Sequence, residues 1–157
     1  MEQKKNCYGQ PISGVKKLKS PEYGTGEIDM YGQPVVDWSK LSEYADKNGF
    51  DKRNIEKNGK YIIEMRLPRG TEIIRYGSEM GHFTAPVGTS YEQLALPYEK
   101  ETVEYHKYRI TARFLLVTCI VEKGIVAPGF GSPGGGVQFL HPITIRESIK
   151  KHYLKRV

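Results

Sequence analysis

Cysteine is scarce in this chain: among its 157 residues only Cys7 and Cys119 occur. Two thiols cannot build the multi-bridge framework of small secreted folds, and Cys119, inside an apolar run, reads as core filling. Metal-ligand spacing is missing too. The four histidines, His82, His106, His141 and His152, show none of the short regular intervals that zinc sites use, so no metal is expected. Long hydrophobic runs are absent as well. The longest, FLLVTCIV from Phe114 to Val121, is eight residues, far short of the roughly twenty that a membrane helix needs, so no membrane insertion is expected. No apolar stretch follows the charged N-terminus, so no secretory leader is expected, although the tail of a larger exported protein would carry none either. The Walker pattern, the G-x-G-x-x-G fingerprint and a Ser/His/Asp or Cys/His constellation are not evident, which disfavours familiar nucleotide-loop and acyl-transfer chemistries.

What is present is a chain long enough for one domain with a sizeable core. Its 38% apolar and 27% charged content is that of a soluble globular protein. The formal charge of +6 favours acidic partners such as phosphates. Much of the excess lies in QKKNCYGQPISGVKKLKS and RESIKKHYLKRV at the two ends, which read as solvated surface, and no nucleic-acid partner is expected.

Residues 1–30 are polar and rich in Gly and Pro, and read as an arm or linker; YGQP occurs there at Tyr8 and again just beyond, at Tyr31. Residues 31–157 are expected to form a single domain, one catalytic or binding unit. DWSKLSEYADKNGF predicts a short helix, capped by Asp37 or Ser39 and stopped at Asn48-Gly49, with Trp38 as a core anchor. Alternation predicts strands over Tyr61 to Leu67 and Glu72 to Tyr76, joined by a turn at Pro68 to Gly70. The segment from Gly77 to Tyr105 breaks every period and exceeds a mere connection, which marks it as a site-forming loop. A strand or strand pair follows from Tyr105 to Gly124, then a last strand at VQFLHPITI and a terminal helix, or strand with a helical end, at TIRESIKKHYL. The predicted class is α+β, with a mixed or antiparallel β-sheet core, short helices and a long site-forming loop region.

The stretch APGFGSPGGGVQF, Ala127 to Phe139, holds five glycines and two prolines before a glutamine. Glycines 134–136 suit either a tight or bulged turn between strands or the close approach of a ligand. Gln138 follows in an apparent strand, where alternation aims its amide at an open site. Arg75 ends another strand and could hold a phosphate with its fork, while Tyr76 and Phe83 offer aromatic faces to a planar or cationic ring.

Taken in order, RYG, GHFTAPVGTS, LALPYE, YHKYRI and GIVAPGFGSPGGGVQF resemble the tuberculosis necrotizing toxin family, over residues 70 to about 145. The resemblance implies a secreted NAD(P)+ glycohydrolase domain that uses NAD+ or NADP+ as substrate with no further cofactor. By position, Arg75 corresponds to the arginine that engages the phosphates and Gln138 to the glutamine important for catalysis. Tyr76, Phe83 and His106 would help to bind substrate, and Gly135 and Gly136 would let the ribose approach Gln138. Glu147 is a possible carboxylate. A cognate immunity protein is an expected partner, and delivery into a target cell within a larger exported toxin the expected route. The chain departs from the family pattern at Leu94, where many members have arginine, and at Ser132, where the usual loop has glutamine. Alternatives are an ADP-ribosyltransferase, a cyclase or a non-catalytic nucleotide-binding module.

Overall fold

The computed structural model describes residues 15–56, 58–111 and 120–157. Both cysteines, the first YGQP copy and most of the FLLVTCIV run lie outside them. Strand β1 (Gly24–Ile28) and β2 (Pro34–Val36) form a small antiparallel sheet that spans residue 30. Seven further strands make the main sheet: β3 (Ile63–Met65), β4 (Glu72–Tyr76), β5 (Phe83–Pro86), β6 (Tyr105–Ile110), β7 (Val121–Ile125), β8 (Val137–Leu140) and β9 (Leu154–Arg156). Their order is β3-β7-β8-β5-β4-β6-β9, and every neighbouring pair is antiparallel. A short helix α1 (Ile145–Lys150) precedes β9. The class is α+β, as expected.

The two faces of this sheet bury different clusters. Ile73, Tyr108, Ile110, Val121 and Phe139 pack on one side with Ile145 of α1 and Leu154 of β9. On the other side Ile74 and Ala85 meet Leu94, Ala95 and Val126. The period-2 alternation of strands divides Ile73 from Ile74 in this way. At α1, Thr144 accepts a hydrogen bond from the Glu147 N–H at 3.1 Å, and the side-chain cap fixes where the helix begins.

Three expectations need correction. The helix over residues 37–49 is instead a 3-10 turn at Trp38–Lys40, capped by Asp37, followed by irregular chain. Local side-chain bonds compete with the helix there: Ser42 Oγ accepts from the Tyr44 N–H at 3.2 Å, and Asp46 Oδ1 accepts from the Asn48 and Phe50 N–H groups at 2.8 and 3.0 Å. Trp38 is no core anchor, being 60% exposed. The stretch read as unbroken loop after Tyr76 contains β5, a central strand. Its closing Pro86 and the glycines close on either side, Gly81 and Gly88, give it the composition of a turn.

Candidate active site

Three central strands carry the predicted side chains to one place. Antiparallel pairing sets Ile74 opposite Ala85, so Tyr76 of β4 and Phe83 of β5 share the face of Ile74 and Ala85. On β8, Phe139 faces the first core cluster, which turns Gln138 to the other side, toward Phe83. Arg75, Tyr76, Phe83 and Gln138 all border one cavity of about 270 Å³. A second cavity of about 320 Å³ adjoins it, with Trp38, Phe83, Leu94, Leu96 and Gln138 as common walls. The two adjoin as one cleft, with Gln138 and Phe83 in the wall common to both.

Aromatic rings pack against one another around the cleft. The Tyr76 ring meets Tyr91 edge-on at 4.9 Å and Tyr105 at 5.1 Å. Phe83 meets Phe50 at 6.3 Å, and Trp38 meets Phe130 at 5.7 Å.

Arg75 borders the cavity while holding its rim together. Its Nε donates to the Ser78 carbonyl at 2.7 Å and its Nη1 to the Phe83 carbonyl at 3.0 Å, which clamps the β4–β5 connection. The clamp requires Gly81, where any Cβ would overlap the guanidinium. Burial pulls the guanidinium below its ordinary pKa, and Tyr108, Glu104 and Glu79 counter that.

The other predicted residues lie elsewhere. His106 is buried on β6, paired across from Arg75, with Nε2 3.4 Å from Glu104 Oε1 and its ring stacked on Tyr108. It walls neither cavity. Gly135 and Gly136 wall neither cavity either. At Gly136 the close approach is the protein's own: its N–H donates to the Gln93 carbonyl at 3.1 Å, and a Cβ there would lie 3.0 Å from Gln93 Cβ. Glu147 sits in the first turn of α1, against the opposite core cluster, apart from the cleft.

Sequence reasoning missed Lys16, Trp38 and Tyr98 as cavity walls. It also missed Glu79, which is fully buried. The Arg156 fork grips its carboxylate, with Nη2 2.6 Å from Oε1 and Nε 3.1 Å from Oε2, and Tyr108 Oη donates to Oε2 at 2.7 Å. Nothing in GSEMGH marks a buried carboxylate, since glycine-flanked charges usually face solvent. Among the described residues no cluster of His, Cys, Asp and Glu could hold a metal.

The family model described as tuberculosis necrotizing toxin matches residues 66–157. The chain belongs to this toxin family. Over 98 residues it is 35% identical to the conidial surface nicotinamide adenine dinucleotide glycohydrolase nadA of Aspergillus fumigatus. That alignment takes in 58% of the chain and 40% of the relative, so the chain spans less than half of nadA's length. Among solved structures it resembles tuberculosis necrotizing toxin complexed with its immunity factor IFT, with a TM-score of 0.54 and 21% identity over 99% of this chain and 96% of that one. The toxin-family match begins just before β4, so β4, β5 and β8 of the cleft fall inside it while Lys16 and Trp38 fall outside.

Proposed function

We propose that the chain is an NAD(P)+ glycohydrolase, cleaving the bond between nicotinamide and ribose to give nicotinamide and ADP-ribose. One observation carries the reading: a single cleft brings Arg75, Tyr76, Phe83 and Gln138 together from separate strands. Membership of the toxin family and the likeness to a protein named as a nicotinamide adenine dinucleotide glycohydrolase support it.

The cleft suits the chemistry. Nicotinamide leaves as a neutral molecule from a cationic ring, so the departing nitrogen needs no general acid. The step passes through a ribosyl cation, and a protein accelerates it by holding the reactant and offering dipoles where positive charge grows. The Gln138 amide oxygen supplies such a dipole where the two cavities adjoin, while Tyr76 and Phe83 give planar surfaces for the nicotinamide ring. Arg75 places a cation beside the cavity for the diphosphate. Among the described residues neither cavity is walled by Asp or Glu, which would repel that diphosphate. Water then adds to the ribosyl carbon and loses a proton.

Incubation with NAD+ and with NADP+ should release nicotinamide, read by chromatography. Gln138→Ala should lower kcat by about a hundredfold or more, the scale of losing one transition-state dipole, at an unchanged melting temperature. Parental turnover in that variant would remove Gln138 from the chemistry. Cyclic ADP-ribose or a labelled macromolecule among the products would identify a cyclase or a transferase instead. The toxin in the similar structure is bound to an immunity factor, and a cognate immunity protein is proposed here on that ground, with delivery inside a larger exported protein as the matching route.

A further inference from the structure

The stretch VKKLK, Val15 to Lys19, lies well before the family-matched residues and carries three lysines, Lys16, Lys17 and Lys19, which the fold uses differently. Lys17 pairs with Glu99 at 3.6 Å on the surface. Lys19 is spent on the glycine-rich loop, its Nζ donating to Ser132 Oγ at 2.7 Å and the Phe130 carbonyl at 3.4 Å. Lys16 borders the first cavity together with Arg75, Leu94, Tyr98 and Gln138.

The backbone holds Lys16 in that position. Its N–H donates to Gln33 Oε1 at 2.8 Å. The following residues zip onto the chain beside the cleft: the Glu99 N–H donates to the Lys17 carbonyl at 2.7 Å and the Lys19 N–H to the Pro97 carbonyl at 2.9 Å, around an antiparallel bridge of Leu18 with Tyr98. The ammonium itself meets a ring, with Nζ 5.2 Å from the centre of Tyr98. Burial pulls its pKa below the ordinary lysine value, Glu104 counters, and the neighbouring Arg75 charge adds to the lowering. Two cations therefore border one partly desolvated cavity whose described walls carry no carboxylate. Their repulsion and desolvation are relieved when an anion enters between them.

We propose that Lys16 binds the diphosphate of the dinucleotide in concert with Arg75, so that a segment outside the family-matched residues supplies a substrate-binding side chain. This rests on the NAD(P)+ reading above. The test uses the whole chain with Lys16→Met and Lys16→Arg. For NAD+, Lys16→Met should raise KM about tenfold or more with kcat little changed, the scale of one lost charge-assisted contact, and Lys16→Arg should restore most of it. Nicotinamide riboside, which lacks phosphate, should be turned over alike by the parent and by Lys16→Met, whereas a merely structural defect would lower both substrates together.

Calorimetric titration with ADP-ribose separates this assignment from the reaction. A parent that binds ADP-ribose about tenfold more tightly than Lys16→Met supports the assignment even if no nicotinamide is released, in which case the hydrolysis reading alone fails. Equal ADP-ribose affinity in parent and variant, no binding by the parent, or an equal loss on the riboside would each overturn it.

Discussion

Trp38 is an exposed wall of the cleft, bordering both cavities, and it is the only tryptophan in the chain. At 60% exposure its indole is largely hydrated, so a ligand that covers it changes its surroundings directly. Titration with ADP-ribose should shift the emission toward the blue and change its intensity, with a midpoint equal to the calorimetric one. An emission spectrum that stays constant through saturation would place the ligand away from Trp38. Reading Trp38 from the sequence as a core anchor failed because indole favours burial without specifying its depth. Gln138 was legible for the opposite reason, since one polar residue in an alternating strand must face away from the core that its neighbours fill. Arg75 was half legible. Its cavity border follows from its place at a strand end, but its two hydrogen bonds to the connection between β4 and β5 depend on a loop whose path no local pattern predicts.

The element that sets Gln138 is the glycine-rich loop leading into β8. Gly134 has φ of +65°, and a Cβ there would lie 2.6 Å from the Val126 and Ala127 carbonyl oxygens. Gly135 has φ of +86° and open space around it. Gly134→Ala combines strain with collision and should cost roughly 2–3 kcal/mol, lowering the melting temperature by several degrees; Gly135→Ala carries strain alone, about 1 kcal/mol. Equal melting temperatures in the two variants would show that the loop yields where a rigid one would not. Glycine density announced a special backbone but not its beneficiary, and the structure assigns the close approach to neighbouring chain. Strands such as β4 were readable because five residues sample both faces. Strand β5 was not, because Pro86 ends it and Gly81 and Gly88 stand close on either side, so the stretch reads as turn until neighbouring strands complete its hydrogen bonds.

At the scale of the whole molecule, buried titratable groups such as His141 and Glu79 make stability depend on acid. Burial, with help from the Arg75 and His82 charges, pulls His141 down to about 3, and its Nε2 is hydrogen-bonded to Thr84 Oγ1 at 2.7 Å. In the unfolded chain the ring takes a proton near pH 6.5, so between there and about 3 the unfolded state binds more protons. Stability is therefore full above that range and falls with acid, by up to about 1.4 kcal/mol per pH unit. Burial alone would raise the Glu79 carboxyl, but the Arg156 fork and the Tyr108 hydroxyl outweigh it and hold its pKa below 4.5. Its contribution is present above 4.5 and is lost as pH falls through the lowered value. Denaturant midpoints should stay level near neutrality and drop steadily from pH 6 to 4, and His141→Asn should flatten that slope. A parent slope unchanged by His141→Asn would assign the acid loss to other groups.

Residue order alone determined the α+β class, strands β4 and β8, and the side of β8 that Gln138 faces, because short-range alternation and glycine placement act within a few positions. Tertiary structure decided that Lys16 and Trp38 reach the cleft, that Glu147 does not, and that Glu79 is buried beneath Arg156. Each of these depends on segments far apart in the chain meeting in space, and the free energy of such contacts belongs to the assembled sheet and its loops rather than to any stretch of sequence.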